Sequence, residues 1–202
     1  INDEDYPLVI KVASLPGARL QVYFLDNEDF FKRKSVFEDE NNNFYEDNSD
    51  RMIFFCKGTI ETVKKFGWAP DIIHCIGWMT SLIPLYLKTT YKDDPLFAKS
   101  KVVYTVTQNS FSNKLNKNFA DQIQISENIT QKHIDFFKDG DNTSLNIGGS
   151  EFADALILEE KLDEKVSSFV KKAKGKPVFN LTTVEDEALP LVNTFYQNIM
   201  AN

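Results

Sequence analysis

The sequence predicts an α/β protein in which a mostly parallel sheet is covered by helices. Three observations carry this. From residue 51 onward, β-branched runs alternate with stretches whose apolar residues recur at helical spacing. Strands separated by helices in this way pair in parallel. The 202 residues, 42% hydrophobic and 26% charged, suffice for one sizeable core, and no internal repeat points to a solenoid.

The elements follow in order. Leu8 to Ala13 reads as a strand, and Leu15-Pro-Gly as a turn, because Pro presets φ and Gly accepts a positive φ. In Arg19 to Leu25, Leu20, Val22 and Phe24 alternate with Arg19, Gln21 and Tyr23, so a second strand closes a hairpin. Asp26 to Asp50 is irregular and acidic, with Asn41-Asn-Asn at a loop tip. Asp47 or Asn48 can cap a helix beginning near Asp50, whose stripe is Met52, Cys56, Thr59, Ile60 and Val63. Gly67 and Pro70 end it. Asp71 to Ile76 is a strand, Met79 to Lys88 a helix, and Lys101 to Thr107 a further strand.

Gln108 to Ser150 is polar and weakly periodic, with a short helix around Thr130 to Phe137. The region 108–152 is therefore expected to be a long polar loop, longer than most connections. Ala153 to Leu158 is a buried-type strand. Leu162, Val166, Phe169, Val170 and Ala173 mark a helix stopped by Gly175 and Pro177. Pro177 to Leu181 is the next strand. Thr182 and Glu185 have capping-box spacing before a final helix through Leu189, Val192, Phe195, Tyr196 and Ile199. Pro190 predicts a kink in that helix or a later start. The chain begins at Ile1 rather than Met, and further residues are expected before it.

Charge and motifs exclude several function classes. A net charge of −7 argues against nucleic-acid binding, which calls for a basic face. Lys32-Arg33-Lys34 adjoins the acidic Glu38 to Glu40, and Lys171 to Lys176 reads as a helix end. No apolar run approaches the ~20 residues of a membrane span. Cys56 and Cys75 lack metal-ligand or redox spacing and are expected to be reduced, buried thiols in a cytoplasmic protein. Asn-x-Ser/Thr matches at Asn128, Asn142 and Asn180 carry weight only in a secreted protein. Gly148-Gly149 is too little for a phosphate loop, and His133 has no partner at ligand spacing, so neither metal nor cofactor is expected.

The strand tips hold the remaining chemistry, because open α/β sheets bind ligands where strands run into helices. His74 either meets a ligand oxygen or is a partly buried histidine hydrogen-bonded to backbone. Trp78 either stacks on a sugar or base or fills the space between helix and sheet. Gln108 and Asn109, just past the strand Lys101 to Thr107, either bind a ligand or begin the loop. No catalytic set can be assigned from the residues.

Three stretches in order are similar to one family. They are VYFLDNEDFFKR (Val22 to Arg33), EDNSDRMIFFCKGTIETV (Glu46 to Val63) and GWAPDIIHCIGWMTSLIPLYLK (Gly67 to Lys88). A weaker echo follows in FADALIL, Phe152 to Leu158. Together they resemble the N-terminal half of bacterial starch and glycogen synthases, ADP-glucose-dependent glucosyltransferases of the GT-B fold. The resemblance implies a doubly wound, Rossmann-like domain with helices on both faces, occupying residues 1–202 as a single acceptor-side unit. It places the family's first strand-tip histidine at His74 and its tryptophan at Trp78. The second histidine, which contacts the transferred sugar, falls at Ile76, the following Asp at Gly77, and a later Ser at Glu159. Isoleucine can neither donate nor accept a hydrogen bond.

Within these 202 residues the resemblance extends neither to the family's Lys-x-Gly-Gly-Leu loop, whose counterpart residues before Ile1 could hold, nor to its second Rossmann-like domain. The resemblance thus implies a domain catalytically incompetent alone, binding α-glucan or serving as an accessory in glycogen metabolism. Its alternatives are one half of a split or fragmentary transferase, completed by a partner chain bearing the second GT-B domain, and an interaction module without glycan affinity. It also implies that, were the chain to start at Ile1, the usual first strand would be absent and the sheet would have an unfilled central slot, so residues preceding Ile1 or a strand from elsewhere are expected to fill it.

Overall fold

The computed structural model describes residues 6–108, 110–173, 175–181 and 185–201. The N-terminal hairpin forms as its residues predict. Strands β1 (Val9–Ser14) and β2 (Gln21–Asp26) pair antiparallel, from Val9 opposite Asp26 to Ser14 opposite Gln21. Gly17 turns the chain at φ +78°. A short helix, α1 (Glu28–Phe31), follows, started by the Asn27 side chain accepting from the Phe30 N–H.

Helix α2 (Asn48–Phe66) is the long helix of the domain. Asp47 stands at its N-cap but makes no side-chain cap bond. Its carboxylate pairs instead with the Arg33 guanidinium, a charge-assisted contact that outcompetes capping. Asn48 accepts from Arg51 and donates to the Phe37 carbonyl at 2.8 Å. Gly67 closes the helix in the left-handed conformation.

Four parallel strands form the main sheet in the order β3 (Ile72–Ile76), β4 (Lys101–Val106), β5 (Ala155–Leu158), β6 (Val178–Asn180). β3 leads through a 3₁₀ turn at Trp78–Thr80 into α3 (Leu82–Lys88). Cys75, Tyr104 and Leu156 pack on one face with residues of α2, α3, α6 (Asn142–Phe152) and α7 (Glu164–Lys172). Val103, Ala155 and Ile157 pack on the other face beneath α8 (Glu185–Met200), through Val192, Phe195, Tyr196 and Ile199. Helices therefore cover both faces, as the doubly wound reading requires. Of the two alternatives at Pro190, a kink or a later start, the later start is not observed, since α8 begins at Glu185 and runs past Pro190. The Thr182–Glu185 capping box lies outside the described residues and side chains.

The hairpin forms a separate two-stranded sheet, and β3 pairs only with β4. Among the described residues no strand lies on the outer edge of β3, and Ile76 at its end is 60% exposed.

The segment 108–152, expected to be a long polar loop, instead carries α4 (Phe119–Gln122), α5 (Gln131–Ile134) and α6. Helix α5 falls where a short helix was predicted. Helix α6 was not legible, because much of its buried surface is polar or glycine. Asn142, Ser144, Asn146, Gly148, Gly149 and Ser150 are all buried. Tyr104 donates to Asn146 at 3.1 Å, and Asn146 donates to the Thr107 carbonyl at 3.0 Å, so tertiary bonds replace the missing apolar stripe.

Candidate functional site

β3, β4 and β5 pair in parallel, so their C-terminal tips lie side by side at one edge of the sheet. On β3, His74 points to the α8 face. Its Nε2 lies 2.6 Å from the Thr105 hydroxyl and its Nδ1 2.6 Å from the Tyr196 hydroxyl. Both ring nitrogens are therefore engaged, by side-chain hydroxyls rather than by backbone. Either tautomer satisfies both contacts, because a hydroxyl can donate or accept. Burial lowers the imidazole pKa below its ordinary 6.5.

This shift fixes the sign of a pH dependence. The unfolded chain takes up the proton at higher pH than the folded one. The stability His74 supports is complete above 6.5 and declines as pH falls through 6.5 toward the lower folded value. Denaturant midpoints at about pH 7.5 and about pH 5.5 should show a larger acid loss in the wild type than in His74→Gln. Equal losses would exclude the imidazole as the source.

Ile76 is the last residue of β3, and Gly77 follows with φ +79° and ψ 166°. Its carbonyl accepts from Thr80 Oγ1 at 2.8 Å and from the Thr80 N–H at 3.2 Å, tying off the turn. Trp78 is 5% exposed. Its ring is covered by Phe111, 5.0 Å away and edge-on, and by Phe37 at 6.1 Å. Gln108, at the end of β4, donates its backbone N–H to Glu159 Oε2 at 2.9 Å. The structure thus joins Gln108 to Glu159 across the β4 and β5 tips. Asn109 lies outside the described residues. Cys56 and Cys75 are free and buried, and burial pushes the Cys75 thiol up to about 12, so neither is an available nucleophile. No group of three or more metal-ligating side chains occurs among the described residues.

Sequence reasoning missed the partners that decide these roles. Tyr196 is 122 positions from His74 and meets it only through the packing of α8. Phe37, Phe44 and Phe111 lie in irregular segments without periodicity. Their one visible signal was aromatic density in otherwise polar loops.

Residues 2–160 match the starch synthase catalytic domain model. The chain belongs to the starch synthase catalytic domain family. It is 35% identical over 190 residues to a glycogen synthase of Chlorobium limicola, covering 93% of this chain and 37% of that protein. A glycogen synthase of Chlorobium phaeobacteroides is 45% identical over 100 residues, covering 49% of this chain and 20% of that one. The catalytic domain of Starch Synthase IV from Arabidopsis thaliana, bound to ADP and acarbose, shares the fold with a TM-score of 0.56 at 18% identity. That likeness covers 75% of this chain and 30% of that one. The chain thus spans from a fifth to little more than a third of the glycogen synthases it matches, and resembles their N-terminal part. No described helix is long and apolar enough to cross a membrane.

Proposed function

We propose that this chain is an acceptor-side unit that binds α-glucan in glycogen metabolism and does not transfer glucose by itself. One observation carries this reading. The β3 tip, where the family resemblance expects a sugar-contacting histidine, presents the exposed, apolar Ile76. The Ile76 side chain has no polar atom to hold a sugar hydroxyl or a developing charge. His74 and Trp78 then frame the site, and Gln108 stands at the β4 tip where a ligand arrives. The described part of the site shows no paired acid and base.

Transfer, in this reading, requires a second domain from another chain or from a longer form of this one. The one-sided pairing of β3 supports a further strand seating on its free edge, since unpaired backbone groups at a sheet edge invite one. Two buried unpaired thiols fit a reducing cytoplasmic setting.

Calorimetric titration with maltoheptaose and with ADP-glucose tests the reading, alongside an assay for glucosyl transfer. Binding of the glucan, none of ADP-glucose and no transfer is the expected result. ADP-glucose affinity or transfer by the single chain would favour the split-enzyme reading. No binding of either at millimolar concentration would leave an interaction module.

A further inference from the structure

We propose that the glucan seat is the cleft between the loop after α1 and the loop after β4, with Phe111 as its aromatic platform, beside the vacated β3 tip. The cleft has a volume of about 470 Å³ and is lined by Phe37, Glu38, Ser110, Phe111, Ser112 and Asn113. That volume lies within the usual range for small-ligand sites. This assignment rests on the glucan-binding reading above and says where on the chain the sugar sits.

The lining matches a neutral polyhydroxylated ligand. A hexose ring shows C–H groups on its faces and hydroxyls around its rim. The first need an aromatic ring, and the second need groups that both donate and accept. Here two phenyl rings stand among two hydroxyls, an amide and a carboxylate. Glu38 accepts from sugar hydroxyls and repels phosphate, and no cation lines the cleft among the described residues. A nucleotide diphosphate is therefore disfavoured at this place.

The platform is built before any ligand arrives. Phe111 packs against Trp78 and Phe44 at 5.0 Å each and against Phe37 at 6.3 Å, yet stays partly exposed. The Phe37 carbonyl accepts from the Asn48 side chain at 2.8 Å and from the Tyr45 N–H at 3.0 Å. Glu38 pairs as an isolated β-bridge with Phe44. On the other side, the Leu115 N–H donates to the Gly140 carbonyl at 2.8 Å, and the Asn116 N–H donates to Ser49 Oγ at 3.0 Å. Both loops are thus pinned, on α2 and on the segment leading into α6. Preorganisation of this kind reduces the ordering cost of binding. It also gives Trp78 its role, as the buried support behind Phe111.

A second aromatic group supplies the control. Phe66 and Trp68 stack at 5.1 Å and are 44% and 41% exposed. They lie where α2 ends and β3 begins, at the opposite end of the sheet from the cleft.

Maltoheptaose titrations of the wild type and of Phe111→Ala, Asn113→Ala, Glu38→Gln and Trp68→Ala separate the possibilities. Phe111→Ala should weaken binding about tenfold or more, and Asn113→Ala and Glu38→Gln by about threefold each, with Trp68→Ala unchanged. The two polar variants alter exposed or half-exposed side chains and keep the test open if Phe111→Ala does not fold. Wild-type binding that survives all three cleft variants, or is lost in Trp68→Ala alone, overturns this location and leaves the glucan-binding reading intact. No binding by the wild type overturns both.

Discussion

Gly148→Ala should cost the protein about 2 kcal/mol or more of stability, against the ~1 kcal/mol gain that alanine normally brings to a helix interior. A Cβ at this position would lie 2.2 Å from two atoms of the Phe137 ring. That ring is fully buried, so it cannot swing into solvent to make room. Overpacking of a tight core costs about 1–3 kcal/mol and occasionally more, and an approach this close belongs at the upper end. Gly149→Ala meets the Tyr104 ring at 2.7 Å, which is tight but less severe. Tyr104 also donates to Asn146, so displacing its ring disturbs a buried bond as well. Gly58 in α2 is the internal control, because its nearest neighbour is the end of the Leu25 side chain at 3.1 Å. Gly58→Ala should be close to neutral. Urea midpoints for the three variants check the ranking. A Gly148→Ala protein as stable as wild type would mean that α6 does not sit this close to Phe137. Adding Phe137→Leu should recover part of the loss.

The same two glycines mark what could be read from the residues and what could not. The strands of the main sheet were legible because β-branched runs bounded by Gly and Pro have few other uses. Helix α2 was legible from its apolar stripe. Helix α6 was not, since Gly148 and Gly149 oppose a helix by propensity and favour it only once Phe137 and Tyr104 press against them. Asn142 and Asn146 likewise read as loop until their partners are in place. At the site, the position of His74 at a strand tip was visible, but not its engagement. That depends on Tyr196, brought by the final helix, and on Thr105 of the neighbouring strand. Trp78 carried two readings, and Phe37 and Phe111 packed against it favour the packing one. Local pattern shows where a side chain stands, and long-range packing decides what it touches.

Gly77→Asp should destabilise the protein by about 1–3 kcal/mol, although nothing stands in the way of its side chain. No atom lies within 4 Å of a Cβ built at Gly77, so the cost is one of backbone alone. At φ +79° and ψ 166° the residue occupies a region that only glycine enters readily. Ile76→His is different, because Ile76 is 60% exposed and gives up little packing. It should change stability by no more than about 0.5 kcal/mol. The contrast has a functional meaning. If the strand tip had lost only two side chains, restoring His and Asp would be cheap at both positions. A cost confined to position 77 says that the turn after β3 has taken a path that the Asp expected from the resemblance cannot follow without strain. The double variant should then be as unstable as Gly77→Asp alone, bind maltoheptaose as the wild type does, and transfer no glucose from ADP-glucose. A neutral Gly77→Asp would show that the turn relaxes to negative φ and that the departure is in side chains only. Detectable transfer by the double variant would overturn the proposal that the chain does not transfer glucose by itself.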